Sequence, residues 1–159
     1  MEVFIVYGTN SGGTLDVAKQ IASVWQEAGH TVHIRRADSV QAEELRQPDF
    51  VFLGSCTWEH ITEDGKRLEG QLQQHMRELV EKLHGVSLHK QNFAVYGLGD
   101  ESYQETCAAA DHLEKLVTDV GGKKIGATLR LLHYFYDLDK NRQRVQAWAT
   151  HVLDKANSK

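Results

Sequence analysis

Short apolar runs alternate with longer amphipathic stretches along this chain, and the alternation predicts strands that are each followed by a helix. Continuous apolar runs occupy residues 3–6, 50–53 and 93–96, as is typical of strands covered on both faces of a parallel sheet. A more exposed strand is predicted over residues 31–36, and another between residues 124 and 134. We therefore expect five strands.

Apolar residues at helical spacing predict four helices between and after these strands. The second stripe is the longest and predicts a helix of about four turns. The stripes are Val17, Ile21, Val24, Trp25 and Ala28; Leu68, Leu72, Met76, Leu79 and Leu83; Cys107, Ala110, Leu113, Leu116, Val117 and Val120; and Val145, Trp148, Val152 and Leu153.

Strands that alternate with helices imply right-handed crossovers and an α/β fold. We expect a three-layer, doubly wound, five-stranded parallel sheet. A single proline and the lack of low-complexity stretches leave no obvious linker, so residues 1–159 are expected to form one domain.

Composition and charge narrow the function classes. The net charge of −4 argues against non-specific binding of nucleic acid. No apolar run approaches the roughly 20 residues needed to cross a bilayer, and the opening residues do not resemble a signal peptide. We therefore expect a cytoplasmic protein with no membrane partner. Cys56 and Cys107 match no metal-ligand or redox spacing, so we expect free thiols and no metal site.

The segments that follow strands one, three and four are the candidate site, because ligands of such sheets bind at the carboxyl ends of the strands. The first segment comprises Thr9, Asn10, Ser11, Gly12, Gly13 and Thr14. Its hydroxyls, amide and glycines precede a helix, where backbone N–H groups suit a phosphate. The segment contains no lysine, so it is not the phosphate loop of nucleotide triphosphatases, and the absence of a Gly-x-Gly-x-x-Gly pattern argues against a dinucleotide. Its composition therefore favours binding of a terminal phosphomonoester. The alternative is an ordinary helix N-cap.

Aromatic residues mark the other two segments. Trp58 follows the third strand, where it could offer a flat face to an aromatic ligand or be a partly buried surface residue. After the fourth strand, glycines allow close approach of the backbone, and Tyr103 offers a second aromatic plane. Asp100 could instead cap the next helix. The candidate residues in these segments are Cys56, Thr57, Trp58, Glu59, His60, Leu98, Gly99, Asp100 and Tyr103.

Together these segments resemble the flavodoxin family, and the likeness runs over nearly the whole chain. Three motifs carry it: Thr9-x-Ser11-Gly12-x-Thr14, Thr57-Trp58, and Gly97-x-Gly99-Asp100-x-x-Tyr103-x-x-x-Cys107. The resemblance implies a short-chain flavodoxin with sheet order 2-1-3-4-5. It also implies one non-covalently bound FMN and low-potential electron transfer rather than catalysis.

The resemblance also implies roles for individual residues. The first segment would bind the phosphate, Trp58 and Tyr103 would sandwich the ring, and the other candidates would surround the ring and ribityl chain. Acidic residues at the rim would keep the potential low: Glu59, Glu63, Asp64, Asp100, Glu101 and Glu105. The sequence departs from the family where many members have glycine after the tryptophan, since Glu59 and His60 stand there.

Partners implied by the resemblance are redox proteins, namely a flavodoxin reductase and electron acceptors, that dock transiently at the flavin edge of a monomer. Three alternatives remain at this stage. They are an FMN-dependent enzyme such as a quinone reductase, a phosphoacceptor signalling domain, and the FMN domain of a diflavin reductase. Short loops argue against the FMN-dependent enzyme, and the lack of aspartates at the strand ends argues against the phosphoacceptor domain.

Overall fold

The computed structural model describes residues 1–99 and 107–158, which build a parallel sheet between two layers of helices. The chain order of the strands is β1 Glu2–Gly8, β2 Thr31–Arg36, β3 Phe50–Ile61, β4 Arg67–Leu72, β5 Asn92–Gly99, β6 Lys123–Lys124 and β7 Leu129–Leu132. The helices are α1 Gly13–Glu27, α2 Gln74–Lys82, α3 Ala108–Asp119 and α4 Leu138–Asn157.

The parallel part of the sheet has the spatial order β2-β1-β3-β5, with β6 and β7 both pairing with the far side of β5. This confirms the expected order 2-1-3-4-5. The fifth strand, however, consists of two short pieces. Gly126 lies between them with φ of 75°, a left-handed conformation that suits glycine and bends the chain there.

Two apolar clusters hold the helices to the two faces of the sheet. On one face, α1 and α4 pack together around Trp25, whose ring contacts Phe50 and Phe52 and whose Nε1 donates to the Ala149 carbonyl at 3.2 Å. On the other face, Met76 and Leu79 of α2 and Leu113 of α3 are buried. The continuous apolar strands follow from this cover on both faces.

The predicted helix from Leu68 to Leu83 is wrong in its first part, because Arg67–Leu72 is strand β4. It pairs antiparallel with the end of β3, and the turn between them closes with the Thr62 N–H on the Lys66 carbonyl at 2.9 Å. Leu68 and Leu72 are four residues apart, a spacing that fits one face of a helix and one face of a strand equally well. The antiparallel pairing with β3 selects the strand.

The end of β3 is correspondingly not a loop. Cys56 to His60 were expected to follow the strand, yet β3 continues through them to Ile61.

Within the described ranges, no helix is both long enough and apolar enough to cross a membrane.

Candidate functional site

A cleft with a volume of about 180 Å³ lies at the carboxyl ends of β1, β3 and β5. Nine of the predicted site residues line it: Asn10, Ser11, Gly13, Thr14, Cys56, Thr57, Trp58, Leu98 and Gly99. The three segments therefore meet where the sheet topology requires.

The start of α1 forms one end of the cleft. Gly12 is the N-cap, with φ of 88°, and its N–H donates to Thr9 Oγ1 at 2.9 Å. The Tyr96 hydroxyl donates to the Thr14 carbonyl at 3.1 Å and fixes the first turn of the helix. The N–H groups of a first turn have no acceptor within the helix, so this end of the cleft is electropositive.

Thr14 provides a test of fit for a phosphate-bearing ligand. The residue is fully buried, and its Oγ1 has no hydrogen-bond partner within the described ranges. A buried hydroxyl without a partner is costly. An anionic oxygen at the start of α1 would accept that hydrogen bond, so the residues present fit a phosphate group.

The end of β3 forms a second wall of the cleft. Trp58 is 45% exposed, which leaves much of its ring available to a ligand. Thr57 is buried, and its Oγ1 accepts from the Ala109 N–H at 3.2 Å, which joins this wall to α3. Cys56 is a free thiol beside Thr14, and burial raises the pKa of the thiol, so it stays neutral.

Four predicted residues do not line the cleft, and each has another place. The Gly12 N–H donates a hydrogen bond to Thr9 Oγ1. Glu59 pairs with Arg67 of β4 at 3.1 Å, and His60 lies opposite Leu68 of β4. A register shift between Trp58 and His60 separates these two residues from the ladder around Trp58. Two others, Asp100 and Tyr103, lie outside the described residues.

Sequence reasoning missed four lining residues, His133, Tyr134, Phe135 and Tyr136, which we call the aromatic segment. They follow β7 at the edge of the sheet, whereas the predicted site comprised only segments after strands one, three and four. The available signal was the run of aromatic residues itself, directly after a strand. Phe135 is 52% exposed and Tyr136 is 86% exposed.

An ion pair next to the cleft joins α1 to α4. Arg142 holds Asp16 through two hydrogen bonds, at 3.1 and 2.8 Å, and the Tyr134 hydroxyl donates to the same carboxylate at 2.5 Å. The Arg142 guanidinium keeps the pKa of Asp16 below its ordinary value. Asp16 is therefore ionised at neutral pH, with its charge matched by Arg142.

A second polar cluster also escaped the sequence analysis, which expected no metal-ligand group. His75 Nδ1 lies 3.6 Å from Asp38 and 3.9 Å from Glu78, close enough for the three side chains to hold a metal ion. Arg36 also binds Asp38, at 2.7 Å. None of these residues lines the cleft.

Known proteins resemble this chain in sequence and in overall fold. Residues 5–148 match the protein-family model described as Flavodoxin. The flavodoxin of Nitratidesulfovibrio vulgaris is 35% identical over 154 residues, 95% of this chain and 96% of that protein. The flavodoxin of Maridesulfovibrio salexigens is 28% identical over 152 residues, with coverage of 95% and 96%. The crystal structure of oxidised flavodoxin 2 from Bacillus cereus shares the fold, with a TM-score of 0.84 at 24% identity over 98% of this chain and 99% of that one. The chain therefore belongs to the flavodoxin family.

Proposed function

We propose that the cleft binds one FMN without a covalent bond and that the chain carries electrons at low potential between a reductase and acceptor proteins. As a flavodoxin, the chain is an FMN-binding electron carrier rather than an enzyme. The observation that carries the proposed site is the meeting of the α1 N-terminus, the buried Thr14 hydroxyl and the Trp58 ring in one cleft. This favours an FMN-binding site over the phosphoacceptor alternative.

The phosphate would lie at the start of α1. Thr14 Oγ1 and the first-turn N–H groups would donate hydrogen bonds to it, with Ser11 and Asn10 beside them in the lining. No lysine or arginine lines the described part of the cleft. The phosphate would then keep its negative charge near the ring, which opposes the addition of electrons and lowers the potential.

The ring and ribityl chain would lie between the ends of β3 and β5. Trp58 would cover one face of the ring, and Leu98 and Cys56 would exclude water from its inner edge. When bound, FMN accepts and releases electrons one or two at a time. Tyr103 remains our proposal for the second face of the ring, and Asp100 remains among the residues that we propose to surround the ring and ribityl chain.

Acidic side chains near the hairpin would also favour a low potential. Thr62 hydrogen-bonds to Asp64 and keeps the pKa of that carboxyl below its ordinary value, so Asp64 is ionised at neutral pH. Glu59 is partly offset by Arg67. One unpaired charge about 8 Å from the ring contributes roughly 2 kcal/mol at an effective dielectric of about 20, before salt screening.

Redox proteins are the partners that an electron carrier requires. We propose that a flavodoxin reductase and electron acceptors dock transiently at the mouth of the cleft, through small and partly electrostatic interfaces. We further propose that residues 1–159 act as one domain and as a monomer in the cytoplasm.

The test is FMN binding followed by electron transfer. Titration of the apoprotein should quench FMN fluorescence at a 1:1 ratio, and the complex should speed electron flow from a flavodoxin reductase to a haem protein. Trp58→Ala should weaken binding, whereas Trp148→Phe, outside the cleft lining, should not. Unquenched FMN in the presence of excess apoprotein would refute the proposal. Rapid NADPH oxidation with a quinone and no reductase would support the enzyme instead.

A further inference from the structure

We propose that the aromatic segment closes the outer side of the phosphate end of the cleft and so selects a flavin mononucleotide over a flavin dinucleotide. The inference rests on the proposed function, because it takes the start of α1 as the phosphate site. It adds a set of residues that decide which flavin the cleft admits.

The backbone carries the aromatic segment from the sheet edge towards α1. The His133 N–H donates to the Gly99 carbonyl at 3.1 Å, which continues the pairing of β7 with β5. His133 then has φ of 52°, in the left-handed region that is uncommon for a residue other than glycine. This sharp change of direction takes the chain away from the sheet edge and across the end of the cleft.

Tyr134 anchors the segment to the phosphate end. The residue is buried, its hydroxyl donates to Asp16 in α1, and its carbonyl accepts from Asn141 Nδ2 at 2.9 Å. Arg142 holds the same Asp16 carboxylate from α4. The segment is thus tied to both helices that flank it, which fixes where the next residue lies.

Phe135 lies directly against the first residue of α1. A methyl group placed on Gly13 would come within 3.3 Å of the Phe135 ring and 3.0 Å of Leu98 Cδ2, so both side chains pack closely over this glycine. Both Gly13 and Phe135 line the cleft. A group extending outward from a phosphate at this helix end, on the Phe135 side, would meet the ring.

The exposure of Phe135 and Tyr136 indicates that these two residues of the segment, unlike Tyr134, do not build the core. Phe135 is half exposed and Tyr136 is mostly exposed, and Tyr136 stacks on His133 with ring centroids 4.9 Å apart and planes at 20°. Burial of these rings therefore stabilises the fold little. Their shared feature is that they line the cleft.

The number of phosphate groups favours the same selection. A dinucleotide would bring a second phosphate and an adenosine past the segment. Arg142 is already engaged by Asp16, and the described lining contains no lysine or arginine that could bind the second phosphate. The neutral hydroxyl and N–H donors at the start of α1 suit one terminal phosphate.

Isothermal titration with FMN, FAD and riboflavin tests the proposal. Phe135→Ala should lower the ratio of FMN affinity to FAD affinity by about tenfold or more, because the ring no longer blocks the adenosine side. Leu132→Ala is the matched control, since Leu132 is also a large exposed apolar residue but does not line the cleft, and it should keep the wild-type ratio. Riboflavin, which has no phosphate, should bind Phe135→Ala and the wild type alike.

A second variant tests whether the changed affinity ratio of Phe135→Ala comes only from a local rearrangement around the missing ring. Tyr134→Phe keeps the aromatic ring but removes the hydrogen bond to Asp16, and it should shift the ratio in the same direction as Phe135→Ala. A wild-type FMN-to-FAD ratio in Phe135→Ala, or equal FMN and FAD affinity in the wild type, would overturn the inference. A wild type that binds no FMN would instead overturn the proposed function.

Discussion

At the scale of single residues, the site depends on a polar group that the fold buries without a partner. This group is the Thr14 hydroxyl, which is fully buried and has no hydrogen-bond partner in the described part of the chain. Such a group costs stability unless a ligand accepts its hydrogen bond. It therefore links the stability of the chain to occupancy of the cleft.

Thr14→Val should weaken FMN binding by about tenfold, the loss expected for a hydrogen bond to a charged group, while riboflavin binding stays nearly unchanged. The apoprotein of the variant should be as stable as the wild type or slightly more so, because the unbonded hydroxyl is gone. Fluorescence titration and urea denaturation measure the two effects. Thr150→Val on the exposed side of α4 is the control, and equal losses for FMN and riboflavin would contradict the assignment.

Arg142→Gln should make the free energy of unfolding less dependent on pH in the acidic range. The pKa of Asp16 is lower in the folded chain than its ordinary value of 3.8, chiefly through Arg142. The stabilisation is therefore present above about pH 4 and is lost as pH falls through the lower, folded value. Urea denaturation should show the variant less stable than the wild type at pH 7, with the difference in the free energy of unfolding shrinking in acid.

Lys115→Gln is the control for this ion-pair prediction, because its partner Asp119 is exposed and the pair contributes little. A gap between wild type and Arg142→Gln that is constant from pH 7 to strong acid would show that Asp16 is not the group involved.

At the scale of elements, the β3–β4 hairpin and the aromatic segment are the parts that the pattern of residues left undecided. Leu68 and Leu72 fit a helix and a strand, and only pairing with β3 selects the strand. The aromatic segment has no periodicity at all. Its position comes from the Gly99 carbonyl and from Asp16, both of which are remote in sequence.

Thr57→Val tests how the hairpin strand supports α3. The Ala109 N–H would lose its side-chain acceptor in a buried place, so we expect a loss of about 1–2 kcal/mol in the free energy of unfolding. Thr57→Ser keeps the hydroxyl and should retain most of that stability. Thermal and urea unfolding measure the difference, and a valine variant as stable as the serine variant would disprove the role of the hydroxyl.

At the scale of the whole molecule, one packing contact connects the sheet to the phosphate end of the cleft. A methyl group on Gly54 of β3 would lie 1.9 Å from Tyr96 Cζ, so the Tyr96 ring occupies the space above that glycine. The same ring places its hydroxyl on the Thr14 carbonyl. The sheet and the start of α1 are thereby coupled.

Gly54→Ala should lower the free energy of unfolding by about 2–3 kcal/mol, because Tyr96 is fully buried and cannot move without displacing its neighbours. FMN affinity should fall as well, since the displaced ring no longer holds Thr14. Gly85→Ala, where open space surrounds a positive φ, should cost about 1 kcal/mol and leave FMN affinity unchanged. Equal effects of the two substitutions, measured by urea unfolding and FMN titration, would contradict this coupling.

The sequence by itself determined the alternation of strands and helices and the meeting of three segments at the carboxyl edge of the sheet. These two features follow from local periodicity, glycine turns and the handedness of crossovers. The strand order 2-1-3-4-5 was implied only by the resemblance to the flavodoxin family. Only the tertiary structure decided that residues 67–72 pair with β3, that Glu59 forms an ion pair with Arg67, and that Phe135 packs against Gly13. Each of these depends on contacts between residues far apart in sequence, and their energies are set by the packing of the whole molecule.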